Sequence, residues 1–195
     1  MNTPAHLIIA AAVFAKPQKR KITSAAIAGG LLPDFSLYAL AGWSLFVQGN
    51  TAQHVFDVQY FSAEWQQIFA IDNSFFIWAL IIAIGVYLRK NWLWAFGGAG
   101  LLHLCFDFPL HHDDARQHFW PITDWVFNSP LSYWDPNHHG NIVSVLEIAL
   151  CMVCLVFLWQ RFKTKFARIS IAAVAAMQLL PVMVHTIFVM LKFNH

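Results

Sequence analysis

Long apolar runs broken by short polar or basic punctuation dominate the chain, and their spacing predicts helices at 3–15, 23–47, 74–88, 92–107, 142–160 and 169–191. A helix rises ~1.5 Å per residue and a bilayer core is ~30 Å thick, so a full span needs ~20 residues. Several runs fall short of that length, which tilt, local thinning or burial inside a bundle must accommodate. The expected architecture is all-α: a polytopic membrane helical bundle of about six helices, with four spans as the smaller alternative. A single integral-membrane domain over residues 1–195 is expected, with a long polar connection at 108–141.

Composition sharpens this picture. The chain is 58% hydrophobic and only 11% charged, where an ordinary soluble domain has about 25% charged residues. Cys105, Cys151 and Cys154 all lie in apolar stretches, so they read as small hydrophobes and imply no disulfide framework. The run at 5–15 lacks a preceding basic region, and Lys16-Pro17 follows where small cleavage residues belong, so it reads as a mature helix.

Charge gives a direction to the bundle. Basic residues gather in three groups: Lys16, Lys19, Arg20 and Lys21; Arg89 and Lys90; Arg161, Lys163, Lys165 and Arg168. None contains Asp or Glu. Threading all three onto the cytoplasmic side satisfies the positive-inside bias with six crossings, and leaves 48–73 and 108–141 on the other side. These groups sit at helix ends and form no continuous basic face, so a nucleic-acid partner is not expected.

Ionisable residues within such runs are costly and mark candidate chemistry. Counted from the basic ends, His6 lies about 15 Å deep, Asp34 about 18 Å, His103 about 17 Å and Asp107 about 23 Å. Glu147 and His185 come out at about 21 and 24 Å, so all six share one layer outward of the bilayer midplane. His103 and Asp107, four apart, project from one helix face, where either a shared ion or a hydrogen-bonded structural pair would account for them. Asp34 follows Pro33, which frees a backbone carbonyl and could equally mark a kink with a restart cap. Glu147 and His185 read equally as a structural pair.

The connection that follows is richer still. His111, His112, Asp113 and Asp114 supply donors of the kind a divalent cation takes, although sequence neighbours rarely all face one point. His118 precedes an aromatic patch of Phe119, Trp120, Trp125 and Trp134 that fits an interfacial belt. His138 and His139 lie in a polar turn that could form a lid, hold a second metal, or simply be exposed. The expected metal ligands are His6, Asp34, His103, Asp107, His111 and His112. Asp113, Asp114 and His118 are the expected acid–base groups.

His6, Leu32-Pro33-Asp34, the His103-Leu-x-x-Asp107 pair and Phe119-Trp120-Pro121 together resemble the pattern of metal-dependent hydrolases of the bacterial inner membrane, the LexA-binding group. The His and Pro-Asp spacing is also similar, more distantly, to that of zinc-dependent phospholipases C. The likeness covers roughly the first two thirds of the chain. It implies a hydrolase with His6, Asp34, His103 and Asp107 as ligands. One element departs from it: the family's His-Arg-Gly-x-Thr-His-Ser stretch between the Pro-Asp and His-x-x-x-Asp motifs has no counterpart here. A likeness to sequences described as cobalamin biosynthesis proteins finds no chemical support, because the chain lacks a Gly-x-x-x-x-Gly-Lys phosphate loop.

The expected function is therefore a membrane-embedded hydrolase that uses a divalent metal, zinc first and manganese or another ion second, on a lipid or lipid-linked ester or phosphoester. Membrane lipids are the expected surroundings, and a bacterial inner membrane the expected location, with the His/Asp cluster on the non-cytoplasmic side. Two other classes use the same residues: a metal-ion or proton transporter or channel, whose polar residues should appear at several depths, and a non-catalytic scaffold with structural histidines.

Overall fold

The computed structural model describes residues 1–193, with side chains described through Leu180. Seven helices make up the fold: α1 (Thr3–Phe14), α2 (Arg20–Phe46), α3 (Ala63–Asp72), α4 (Phe75–Tyr87), α5 (Asn91–Asp107), α6 (Gly140–Arg161) and α7 (Lys165–Phe193). No strand occurs among the described residues. All six expected helices are present with ends shifted by a few residues, and α3 is additional.

The extra helix lies in the segment expected to be a plain connection. Ser62 caps it by accepting from the Trp65 amide, and Asn73-Ser74 separates it from α4. Its polar residues, Glu64, Gln66, Gln67 and Asp72, mask an apolar face that buries Phe69 and Ala70. Ahead of it, one helical turn at Ala52–His54 runs into a π-helical turn at Val55–Gln59.

Three stretches are long and apolar enough to cross a membrane: Arg20–Phe46, Ala63–Tyr87 and Gly140–Arg161. Their outward faces fit that environment. Along α6, Val143, Glu147, Cys151, Leu155 and Leu158 form the buried stripe, whereas Val145, Leu146, Val153, Val156 and Phe157 point outward and exposed. An apolar surface of that extent belongs against lipid or another protein.

A short helix, α1, is the central one. It touches α2, α5, α6 and α7, so its 12 residues are enclosed by protein over much of their length. Ala5, Ile8 and Ile9 form a core with Cys151, Leu155 and Leu158 of α6. Close approach to α2 depends on Gly30, where a methyl group would meet Ala10 Cβ at 2.8 Å and the His6 carbonyl oxygen at 3.3 Å. Gly29 performs the same service toward the α5 backbone at Phe96. This adjacent pair lets α2 lie tightly against both α1 and α5, which brings His6 and His103 together.

The basic groups meet at the opposite pole. Arg161 Nη1 donates to the carbonyls of Ala12 and Ala15 at 2.8 and 3.1 Å, and Lys21 lies over the Trp92 ring at 4.5 Å.

Candidate metal centre

Three helix positions converge near the end of the bundle where α1 begins and α5 finishes. Pro4 lies in the first turn of α1, where its missing amide hydrogen costs nothing. The helix then carries His6 inward, and one turn of α5 separates His103 from Asp107. His6, His103 and Asp107 are 2%, 2% and 4% exposed, and their ligand atoms all lie within 4.8 Å of one another. The two imidazoles stack, with centroids 3.5 Å apart and planes 10° off parallel.

Hydrogen bonds define the state of His103. Its Nδ1 lies 2.8 Å from the Gly30 carbonyl oxygen, which can only accept, so Nδ1 carries the proton. On a neutral ring, Nε2 then presents a lone pair. That atom sits 3.0 Å from Asp107 Oδ2 and 3.7 Å from Asp34 Oδ1, yet makes no hydrogen bond. A buried imidazole nitrogen left without a hydrogen bond between two carboxylates is a candidate cation ligand. The carbonyl on the far nitrogen is the usual outer support of a metal-binding imidazole.

Asp107 is the point where positive and proton-bearing groups collect. Its Oδ1 lies 2.9 Å from His6 Nε2, 3.5 Å from His111 Nε2 and 2.5 Å from the Met1 amine. His111 also approaches Asp114 Oδ2, at 3.0 Å through Nδ1, although neither ring nitrogen is in hydrogen-bonding geometry. Burial works against a charged His111, but Asp107 and Asp114 outweigh it and raise its pKa. Burial likewise pushes the Asp114 carboxyl upward, while His111 overrides it and brings the value below the ordinary carboxylate range.

Asp34 flanks the cluster. Pro33 does not end α2, and its own carbonyl accepts from Asn73 Nδ2 and Arg116 Nη1 at 3.1 and 3.2 Å. Asp34 Oδ2 accepts from the Thr3 hydroxyl at 2.5 Å, while Oδ1 faces His103. A cavity of about 440 Å³ opens beside it, lined by Met1, Asp34, His111, Asp113, Asp114 and Arg116 among others. His6, His103 and Asp107 do not line it; they lie behind Met1, Asp34 and His111.

The remaining expected residues are placed as follows. Asp113 stands at the cavity rim with 69% of its side chain exposed. His112 is directed elsewhere: Nδ1 meets the Ser129 carbonyl at 2.6 Å, and the ring stacks on His138 at 3.7 Å, whose own Nδ1 meets Asp135 at 2.7 Å. His118 packs against Phe75 and Phe108 and does not line the cavity. Burial in that aromatic setting pushes it down to about 4. Glu147 forms a separate centre with Asn2 and Gln178. His185 lies outside the described side chains.

Sequence reasoning missed Arg116 and Tyr38, whose hydroxyl lies 2.6 Å from Thr3 Oγ1. Arg116 was detectable, as the single Lys or Arg between Lys90 and Arg161. Tyr38 carries no local signal, because a phenol beside apolar residues is commonplace. Comparison with family models, with curated proteins and with solved structures finds no match to this chain.

Proposed function

We propose that the protein is a membrane-embedded, metal-dependent hydrolase acting on an ester or phosphoester of a lipid or lipid-linked molecule. The observation that carries this reading is His103 Nε2, a buried ring nitrogen held between Asp107 and Asp34 with no hydrogen-bond partner. His6, His103 and Asp107 are the proposed ligands, with Asp34 and His111 at the edge toward the cavity. Mixed imidazole and carboxylate donors suit zinc first and manganese second. Such an ion, when bound, acidifies a coordinated water and polarises the bond to be cleaved.

The protein supplies the rest. Asp114 holds His111 at the cavity wall, where the imidazole can take a proton from the attacking water and return it to the leaving group. Leu37, Phe56 and Phe61 contribute apolar lining, as an acyl or isoprenoid chain requires. With the three basic groups gathered at the other pole, the positive-inside bias supports a cavity on the non-cytoplasmic side, in a bacterial inner membrane. The likeness to inner-membrane metal-dependent hydrolases points the same way.

The test is hydrolysis in nanodiscs. Purified protein loaded with zinc or manganese should release water-soluble headgroup or acid from a bilayer ester, and a chelator should abolish turnover reversibly. Unchanged turnover after chelation, or none with any of these ions across phosphoester and carboxylic ester lipids, contradicts the proposal.

A further inference from the structure

The cavity holds a cation that the metal reading leaves without a role. Arg116 is 7% exposed, and its Nη1 donates to the Pro33 carbonyl and to Asn73 Oδ1 at 3.2 and 3.1 Å. The guanidinium lies 4.9 Å from the centre of the Phe69 ring, and Nε has no hydrogen-bond partner among the described residues. Buried arginines ordinarily meet a carboxylate through two parallel bonds. Here the nearest one, Asp34 Oδ1, stands at 3.9 Å, and its other oxygen is taken by Thr3.

Geometry gives the unsatisfied charge a use. The oxygen of Asp34 that faces Arg116 is the same oxygen that faces His103 Nε2 at 3.7 Å. Arg116 and the proposed metal centre therefore share one carboxylate, with Arg116 and Asp34 lining the cavity and His103 behind Asp34. A carboxylic ester presents a single neutral carbonyl in the ground state and develops one oxyanion only as it reacts. A phosphoryl group carries anionic oxygens in several directions, and needs positive charge on more than one side.

We propose that this cavity is a phosphoryl-binding site, with Arg116 donating to phosphoryl oxygens directed away from the metal centre and a substrate tail lying along Phe56, Phe61 and Trp134. The inference rests on the hydrolase reading and narrows its substrate to phosphoesters. Arg116 then determines specificity, and Asn73 and Phe69 position it.

Inorganic phosphate titrated into zinc-loaded protein in detergent, followed by calorimetry, tests it, with zinc content measured on the same samples. Saturable phosphate binding is expected, about tenfold or more weaker in R116Q and R116K at unchanged zinc content. R116K retains the charge while losing the planar fork, so it carries the comparison if R116Q does not fold. Displacement of phosphate by phosphatidic acid in nanodiscs identifies a lipid source, and displacement by glycerol phosphate alone a soluble one; either outcome upholds the phosphoryl site. Zinc-loaded wild type that fails to bind phosphate, or variants that bind it equally well, overturns the proposal. Phosphate binding that needs Arg116 but no zinc upholds the arginine site and overturns the metal centre.

Discussion

Two buried carboxylates in this bundle, Glu147 and Asp107, are each 4% exposed and have opposite surroundings. Glu147 accepts from Asn2 Nδ2 at 2.7 Å, from the Asn2 backbone amide at 3.3 Å and from Gln178 Nε2 at 2.6 Å. Each of those nitrogens carries its own hydrogen, so the acid is satisfied by neutral amides. Asp107 instead faces the Met1 amine and the imidazoles of His6, His103 and His111, and the facing nitrogens of His103 and His111 make no hydrogen bond. Burial and depth are alike in the two sites. What distinguishes the two acids is that neutral amides satisfy Glu147, whereas imidazoles and an amine crowd around Asp107.

Exchanging the two acids for their amides should break the comparison most sharply. Asp107→Asn is expected to eliminate zinc binding, whereas Glu147→Gln should retain it, as measured by metal content after gel filtration. Equal retention in both would place the two acids in one class. Gly30→Ala comes next, since the added methyl would meet Ala10 and the His6 carbonyl. Pushing α1 off α2 should cost about 1–3 kcal/mol, the usual range for overpacking, and lower zinc affinity with it. A thermal melt unchanged from wild type would contradict the tight packing.

Much of this was legible from the chain. Helix positions followed from apolar runs, and counting residues from the basic ends placed His6, Asp34, His103 and Asp107 at one level, where the fold does gather them. Depth is blind to facing, however. Glu147 shared the level but turned toward Asn2 and Gln178, a partnership decided by which stripe of α6 meets α1. His112 and His118 illustrate a second limit. Within an irregular connection each side chain's direction depends on backbone turns, so neighbours as close as His111 and His112 part company. Helix α3 stayed hidden because its four polar residues interrupt the apolar pattern.

Smaller effects refine the contrast. Glu147→Ala leaves Asn2 and Gln178 without an acceptor and should cost about 1–3 kcal/mol in chemical unfolding, with zinc affinity intact. A larger fall in zinc affinity than in stability would tie Glu147 to the metal instead. His118 offers a pH test away from the cluster. Its pKa is depressed to about 4 by burial, against about 6.5 for an unfolded histidine. The unfolded chain therefore binds the proton first, and the stability owed to a neutral His118 is complete above pH ~6.5 and lost as pH falls toward 4. The size is a few kcal/mol at most. His118→Phe should flatten the stability profile across that window; an unaltered slope would show that His118 is not the group responsible.

The central claim is that His6, His103 and Asp107 hold a cation that Glu147 does not. X-ray absorption at the zinc edge on the purified, zinc-loaded protein addresses it most directly. The account predicts about one tightly held ion per chain in a shell of nitrogen and oxygen at about 2.0–2.2 Å, with at least two imidazoles and no sulfur. The spectrum should be unchanged in Glu147→Gln. A spectrum without imidazole scattering, or one that survives loss of both His6 and His103, would contradict it.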